Sequence, residues 1–196
     1  MMMKTTITKT LIASVFAATL LSPLASAANY VVDHKGAHAS INFKIKHLGY
    51  SWLTGRFDNF SGEFSYDAKN MSASKISVKI DTTSVNSNHG ERDKHLRSDD
   101  FLEVGTFAEA TFTSSSITDK GNDKLEVKGL FSLHGVSKEI TIDAMKIGEG
   151  NDPWGGYRAG FSGTTKIALK DFAITKNLGP DSSHVELEFH LEGIRQ

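Results

Sequence analysis

The sequence predicts an all-β domain, an eight-stranded antiparallel up-and-down barrel with one short rim helix at about residues 88–99. Three observations predict it. Apolar and polar residues alternate with a period of two along most of the chain, which is the mark of strands with one buried and one wet face. Eight such runs are joined mostly by short turn-like segments. Only one stretch, NSNHGERDKHLRSDD at 86–100, leaves the alternation for helical spacing.

The first 27 residues read as a leader outside the fold. Lys4 and Lys9 form a positive n-region, Leu11 to Leu21 is an apolar run too short to span a bilayer, and Ala25-Ser26-Ala27 is an A-x-A cleavage site. The expected mature chain therefore begins at Ala28, is exported to the periplasm and forms a single domain over residues 28–196. No later segment reads as an integral membrane span.

The first run, 38–47, puts Ala39, Ile41, Phe43 and Ile45 on one face. Run 57–66 offers Phe60, Phe64 and Tyr66 with Gly62 between, and run 74–81 offers Ile76, Val78 and Ile80. The helical stretch follows. Asn88 is the expected N-cap, Glu91 occupies the capping-box position, and Asp93 with Arg97 and Glu91 with His95 have the i,i+4 spacing that supports a helix. Its only large apolar residue is Leu96, so such a helix lies across a rim and does not pack deeply.

After the helix, run 107–114 has Ala108, Ala110 and Phe112 on one side. Run 124–134 carries Leu125, Val127, Gly129, Phe131 and Leu133, and a tight turn at Gly135 leads into 137–147 with Ile140, Ile142 and Ala144. Run 157–169 keeps one odd-numbered line through Tyr157, Ala159, Phe161, Gly163, Ile167 and Leu169. The last run, 184–193, sets Val185, Leu187, Phe189 and Leu191 against His184, Glu186, Glu188 and His190. Runs this long with a single helix fit a barrel of the lipocalin type better than two packed sheets.

Composition narrows the function. Taking Lys4 and Lys9 away from the 22 Lys and Arg leaves 20 against 23 Asp and Glu, the opposite of a nucleic-acid binder's basic balance. The absence of cysteine removes disulfides, thiolate catalysis and thiolate-bound metal. Gly160-Phe161-Ser162-Gly163-Thr164 lacks the last glycine of a nucleophile elbow, and there is no P-loop, dinucleotide fingerprint or H-E-x-x-H. His184 and His190 share a strand face but sit roughly 20 Å apart at the strand rise, and His89 and His95 fall on different sides of the helix. No catalytic residue, cofactor or metal site is expected.

An eight-stranded barrel is either filled by its own side chains or has room for one small ligand. The glycines and alanines among inward phenylalanines leave space for a slot, or else mark bulges and barrel corners. By parity His47 continues the inward line to the strand end, followed by a loop, LGYSWL, carrying Tyr50 and Trp52. A histidine at a barrel mouth, with Arg92, Lys94 and His95 on a lid above it, suits the head of an amphiphile. The loop 148–156 with Trp154 closes the other end or grips a partner.

The segments HLGYSW at 47–52, NHGERDKHLRSDDFL at 88–102, ATFTS at 110–114, DPWGGYRAGF at 152–161 and LKDF at 169–172 resemble the bacterial YceI family in the same order over the whole mature chain. The chain departs from the family pattern at Ala108, where a proline usually follows the aromatic. The resemblance implies a periplasmic lipocalin-like barrel whose tunnel binds a polyisoprenoid, such as an isoprenoid quinone or prenyl phosphate, or a comparable long-chain lipid. The expected tunnel lining is Phe43, Phe60, Phe64, Phe112, Phe131, Phe161 and Phe189, with the head near His47, Trp52, Arg92, Lys94 and His95. Two alternatives stay open, a solid-packed protein-interaction module and a lipid-modifying enzyme using His47 or His95 as base. A homodimer is compatible with the sequence.

Overall fold

A computed structural model describes residues 27–196, so all of the expected leader except Ala27 lies outside the described residues. Eleven strands form one antiparallel sheet: β1 (Ala28–Val32), β2 (Ser40–His47), β3 (Ser51–Phe57), β4 (Phe60–Tyr66), β5 (Lys75–Asp81), β6 (Val85–Asn86), β7 (Glu109–Gly121), β8 (Lys124–Leu133), β9 (Val136–Asn151), β10 (Tyr157–Ala168) and β11 (His184–Arg195). The helix α1 spans Gly90–Leu96.

Three pairs of these strands are single runs broken by a bend. β1 and β2 lie end to end along β11, with Val32 opposite Gly193 and Ser40 opposite His190. On their other side β1 pairs with β4 and β2 with β3, and β4 and β3 in turn pair with β5 and β6. Counted as runs, the chain makes eight strands in simple up-and-down order, and the first meets the last to close the barrel. Among the described strands, closure leaves only the two-residue β6 with an unpaired side, which is how an all-β domain avoids edge-to-edge association.

The alternation predicts the faces correctly. Ile41, Phe43, Phe60, Phe64, Val78, Ile80, Phe112, Phe131, Ile167 and Leu187 are all buried in one core. Two strands run longer than the alternation implies because bulges reverse its parity. The β7–β8 register shifts between Ser114 and Ser116, so the buried line passes from Ala110, Phe112 and Ser114 to Ile117. The expected strand end at 114 is this bulge. A second shift between Gly160 and Phe161 lies against the extended end of β9.

Turn chemistry fixes the hairpins. His134 and Gly135 adopt φ of 51° and 72°, the two positive values of a type I′ turn, and Asn122 and Asp123 adopt 54° and 61°. Three strand segments escaped the sequence reading. Ala28–Val32 is short and adjoins the expected cleavage site, Ser51–Phe57 follows the Gly49 turn and carries Gly55 on its inward line, and Val85–Asn86 is only two residues long.

The helix begins one residue later than expected. Asn88 has φ 62° and gives its N–H to the Asn86 side chain, so His89 becomes the N-cap and its Nδ1 accepts the Arg92 N–H at 3.2 Å. The expected i,i+4 ion pairs do not form because their members have other partners. Asp93 is buried and accepts from both the Ser87 amide and its hydroxyl, Arg97 donates to the Val85 carbonyl at 3.1 Å, and His95 meets Asp100 at 2.7 Å.

Candidate functional site

Inward glycines are not the source of the room inside this barrel. A methyl group on Gly129 would fall 2.6 Å from Phe112 Cζ, and one on Gly62 would meet Val32 and Val78 at 3.1 and 3.2 Å. Gly55 and Gly193 likewise lie under the rings of Phe43 and Phe64. The glycines are seats for rings and methyl groups of neighbouring strands. Ala108 is exposed, outside the barrel lining altogether.

The space lies along the axis in two lobes. The upper lobe, about 300 Å³, sits beneath α1 and the segments that follow it and β10. Ile41, Phe43, Ile80, Phe131 and Leu187 form its barrel wall; Leu96, Phe101, Leu102, Ile174 and Leu178 close it from above. Among the described residues its only polar lining ones are His47, Arg92 and His95. The lower lobe, about 80 Å³, is lined by Phe64, Phe112, Phe161, Phe189, Leu191 and Met71 among others.

Of the residues expected at the site, Phe43, Phe131, His47, Arg92 and His95 surround the upper lobe. Phe64, Phe112, Phe161 and Phe189 surround the lower one. Three expected residues line neither. Trp52 is in a strand, not a loop, and alternation turns it to the outer face, where Lys44 Nζ stands 5.0 Å from its ring. Lys94 is exposed on the far side of α1. Phe60 is buried but packs at the N-terminal bend, its ring 4.8 Å from that of His34.

Electrostatics at the mouth are set by a few bonds. Arg92 Nε donates to the Ser87 hydroxyl at 2.7 Å and Nη2 to the Ser87 carbonyl at 2.5 Å, both neutral acceptors. Among the described residues Arg92 forms no ion pair, so a cation with spare donors faces the cavity. Beside it, burial pushes the Asp93 carboxyl up, but the Ser87 hydroxyl and amide, with Arg97 and Arg92 nearby, outweigh that and hold it below the usual carboxylate range. Lys176 and His95 both bond Asp100, Lys176 lowering its carboxyl most. That triad fixes His95 at the edge of the lobe and ties α1 to the segment after β10.

Sequence reasoning missed Phe101, Leu102, Ile174 and Leu178. They lie in irregular segments, where no periodicity marks a facing side. Their apolar character within otherwise polar connectors was the available signal.

Other features carry less. An outer concavity of about 740 Å³ across β2, β3, β10 and β11 is polar, and its charges are partly spent on pairs such as Lys44 with Glu186 at 3.0 Å. Asp33, His38 and Glu192 lie close enough together to suggest a cation site, but Arg158 fills it, donating to Asp33 and Glu192 at 2.6 Å each and to Asp152 at 2.8 Å. No described helix is long and apolar enough to cross a membrane.

Comparison with known proteins follows the same lines. A family model described as a YceI-like domain matches residues 30–193. A UPF0312 protein of Shewanella sp. (strain ANA-3) is 58% identical over 189 residues, spanning 96% of this chain and 99% of that one. The crystal structure of a Campylobacter jejuni YCEI protein matches with a TM-score of 0.70 at 32% identity, covering 78% of this chain and 91% of the other. A polyisoprenoid binding domain from Saccharophagus degradans shares the fold with a TM-score of 0.63 at 20% identity, covering 87% and 99%.

Proposed function

The chain belongs to the YceI-like domain family, and from that premise we propose that it is a non-catalytic periplasmic binding protein that carries a polyisoprenoid or similar long-chain amphiphile inside its barrel. The observation that carries this reading is the upper lobe, an apolar cavity of about 300 Å³ whose only polar lining residues among those described, His47, Arg92 and His95, gather at its mouth. A chain inserted there is driven by burial of apolar surface, at roughly 25 cal/mol per Å². A polar or anionic head stays at the rim, where Arg92 has donors to spare. The polyisoprenoid binding named for the Saccharophagus degradans domain of the same fold supports the ligand class. The A-x-A leader supports export.

The deciding experiment is native mass spectrometry of the mature chain purified from a periplasmic extract, with organic extraction of anything bound. A prenyl-lipid adduct is expected. A bare mass that persists after incubation with prenyl phosphates and quinones refutes the carrier reading.

A further inference from the structure

The two lobes of the interior share a single wall residue. Ile80 lines both, and no other described residue does. It is 3% exposed and stands in register with Ala110 on one neighbouring strand and Phe60 on the other.

Other strands also divide between the two lobes. On β7 the inward residues Ala110 and Phe112 fall on opposite sides, Ala110 to the upper lobe and Phe112 to the lower. On β11 Leu187 belongs to the upper lobe and Phe189 to the lower. Phe131 and Phe112 are register partners across β7 and β8, and they too face different lobes. Gly129 lets the Phe112 ring lie close against β8, and the ring lines the lower lobe.

We propose that Ile80 is a specificity-determining residue that sets the length of chain the barrel accepts. The inference rests on the carrier reading and adds a length limit to it. With its head at His47, Arg92 and His95, a prenyl chain descends through the upper lobe and meets Ile80. An upper lobe of this volume is at the low end of the roughly 300–1,000 Å³ typical of ligand pockets. Further isoprene units must displace Ile80 or stay outside, so they add no buried surface. Shortening Ile80 joins the lobes and lets a longer tail reach the space between Phe112 and Phe189.

The test is a prenyl phosphate series of increasing chain length, titrated against the mature protein, Ile80→Ala and Ile142→Ala. Ile142 lines only the lower lobe, so its truncation enlarges the interior without removing the division. Wild type and Ile142→Ala are expected to gain affinity with length and then level off. Ile80→Ala should keep gaining, with the longest chain binding about tenfold more tightly or better than to wild type, the worth of roughly two newly buried methylenes. Wild-type affinity that climbs through the whole series overturns the inference and needs no variant to be folded. A parallel profile for Ile80→Ala and wild type, with both folded by circular dichroism, overturns it as well. Failure of every chain length to bind any of the three proteins overturns the carrier reading itself.

Discussion

Phe112 lies over Gly129: a methyl group at Gly129 would come within 2.6 Å of Phe112 Cζ and 2.8 Å of Cε2. The two residues belong to adjacent strands, and Ser114, the register partner of Gly129, is the next inward residue after Phe112. Gly129 thus gives the ring its place in the core. Gly129→Ala should destabilise the protein by about 1–3 kcal/mol through overpacking. Chemical denaturation checks this, and Phe112→Leu in the same chain should recover part of the loss.

Phe131 faces the upper lobe at 2% exposure, its ring 5.5 Å from that of Phe172. Phe131→Trp should extend an indole into the cavity and compete with a bound chain. Prenyl lipid affinity is expected to fall at least about tenfold, equivalent to roughly two methylenes of lost burial, while circular dichroism stays that of the barrel. Unchanged affinity in a lipid titration would remove Phe131 from the binding wall.

Arg92 is held at the mouth by the hydroxyl and carbonyl of Ser87, both neutral acceptors. Arg92→Ala should weaken a prenyl phosphate about tenfold or more, as expected for a lost hydrogen bond to a charged group. The matching quinone should lose far less. Equal losses would show that Arg92 only positions α1.

Trp52 supplies the converse case. Its side chain is on the outer face with Lys44, away from both lobes. Trp52→Ala should leave lipid affinity unchanged and alter stability by no more than about 0.5 kcal/mol. A loss of binding would place the ligand outside the barrel.

The Arg158 network makes stability depend on acid. Bonds from Arg158, His38 and the Gly36 amide hold the Asp33 carboxyl far below the usual carboxylate range. A group whose folded-state pKa is depressed contributes stability above its unfolded pKa, about 3.9, and that contribution fades as pH falls toward the folded value. Wild-type stability should therefore drop steeply below about pH 4. Asp33→Asn should be less stable at neutral pH and show a flatter fall over the same interval, read from denaturation midpoints across pH.

The alternation along the chain by itself determined the all-β class, the eight runs in up-and-down order and the inward direction of the phenylalanines. Each of these is a property of one strand and its immediate neighbours, and a period of two records it directly. The tertiary structure alone decided what happens along the barrel axis. Which inward residue faces which lobe depends on register and on bulges, such as the one after Ser114, that a single strand's pattern does not carry. Closure needed β1, whose five residues make a strand only because β4 and β11 lie on either side of them. The cap of α1 shifted from Asn88 to His89 because Asn86 captures the Asn88 amide. Ile80 reads in the sequence as one more buried isoleucine. Its place between two cavities exists only where eight strands set their levels against one another.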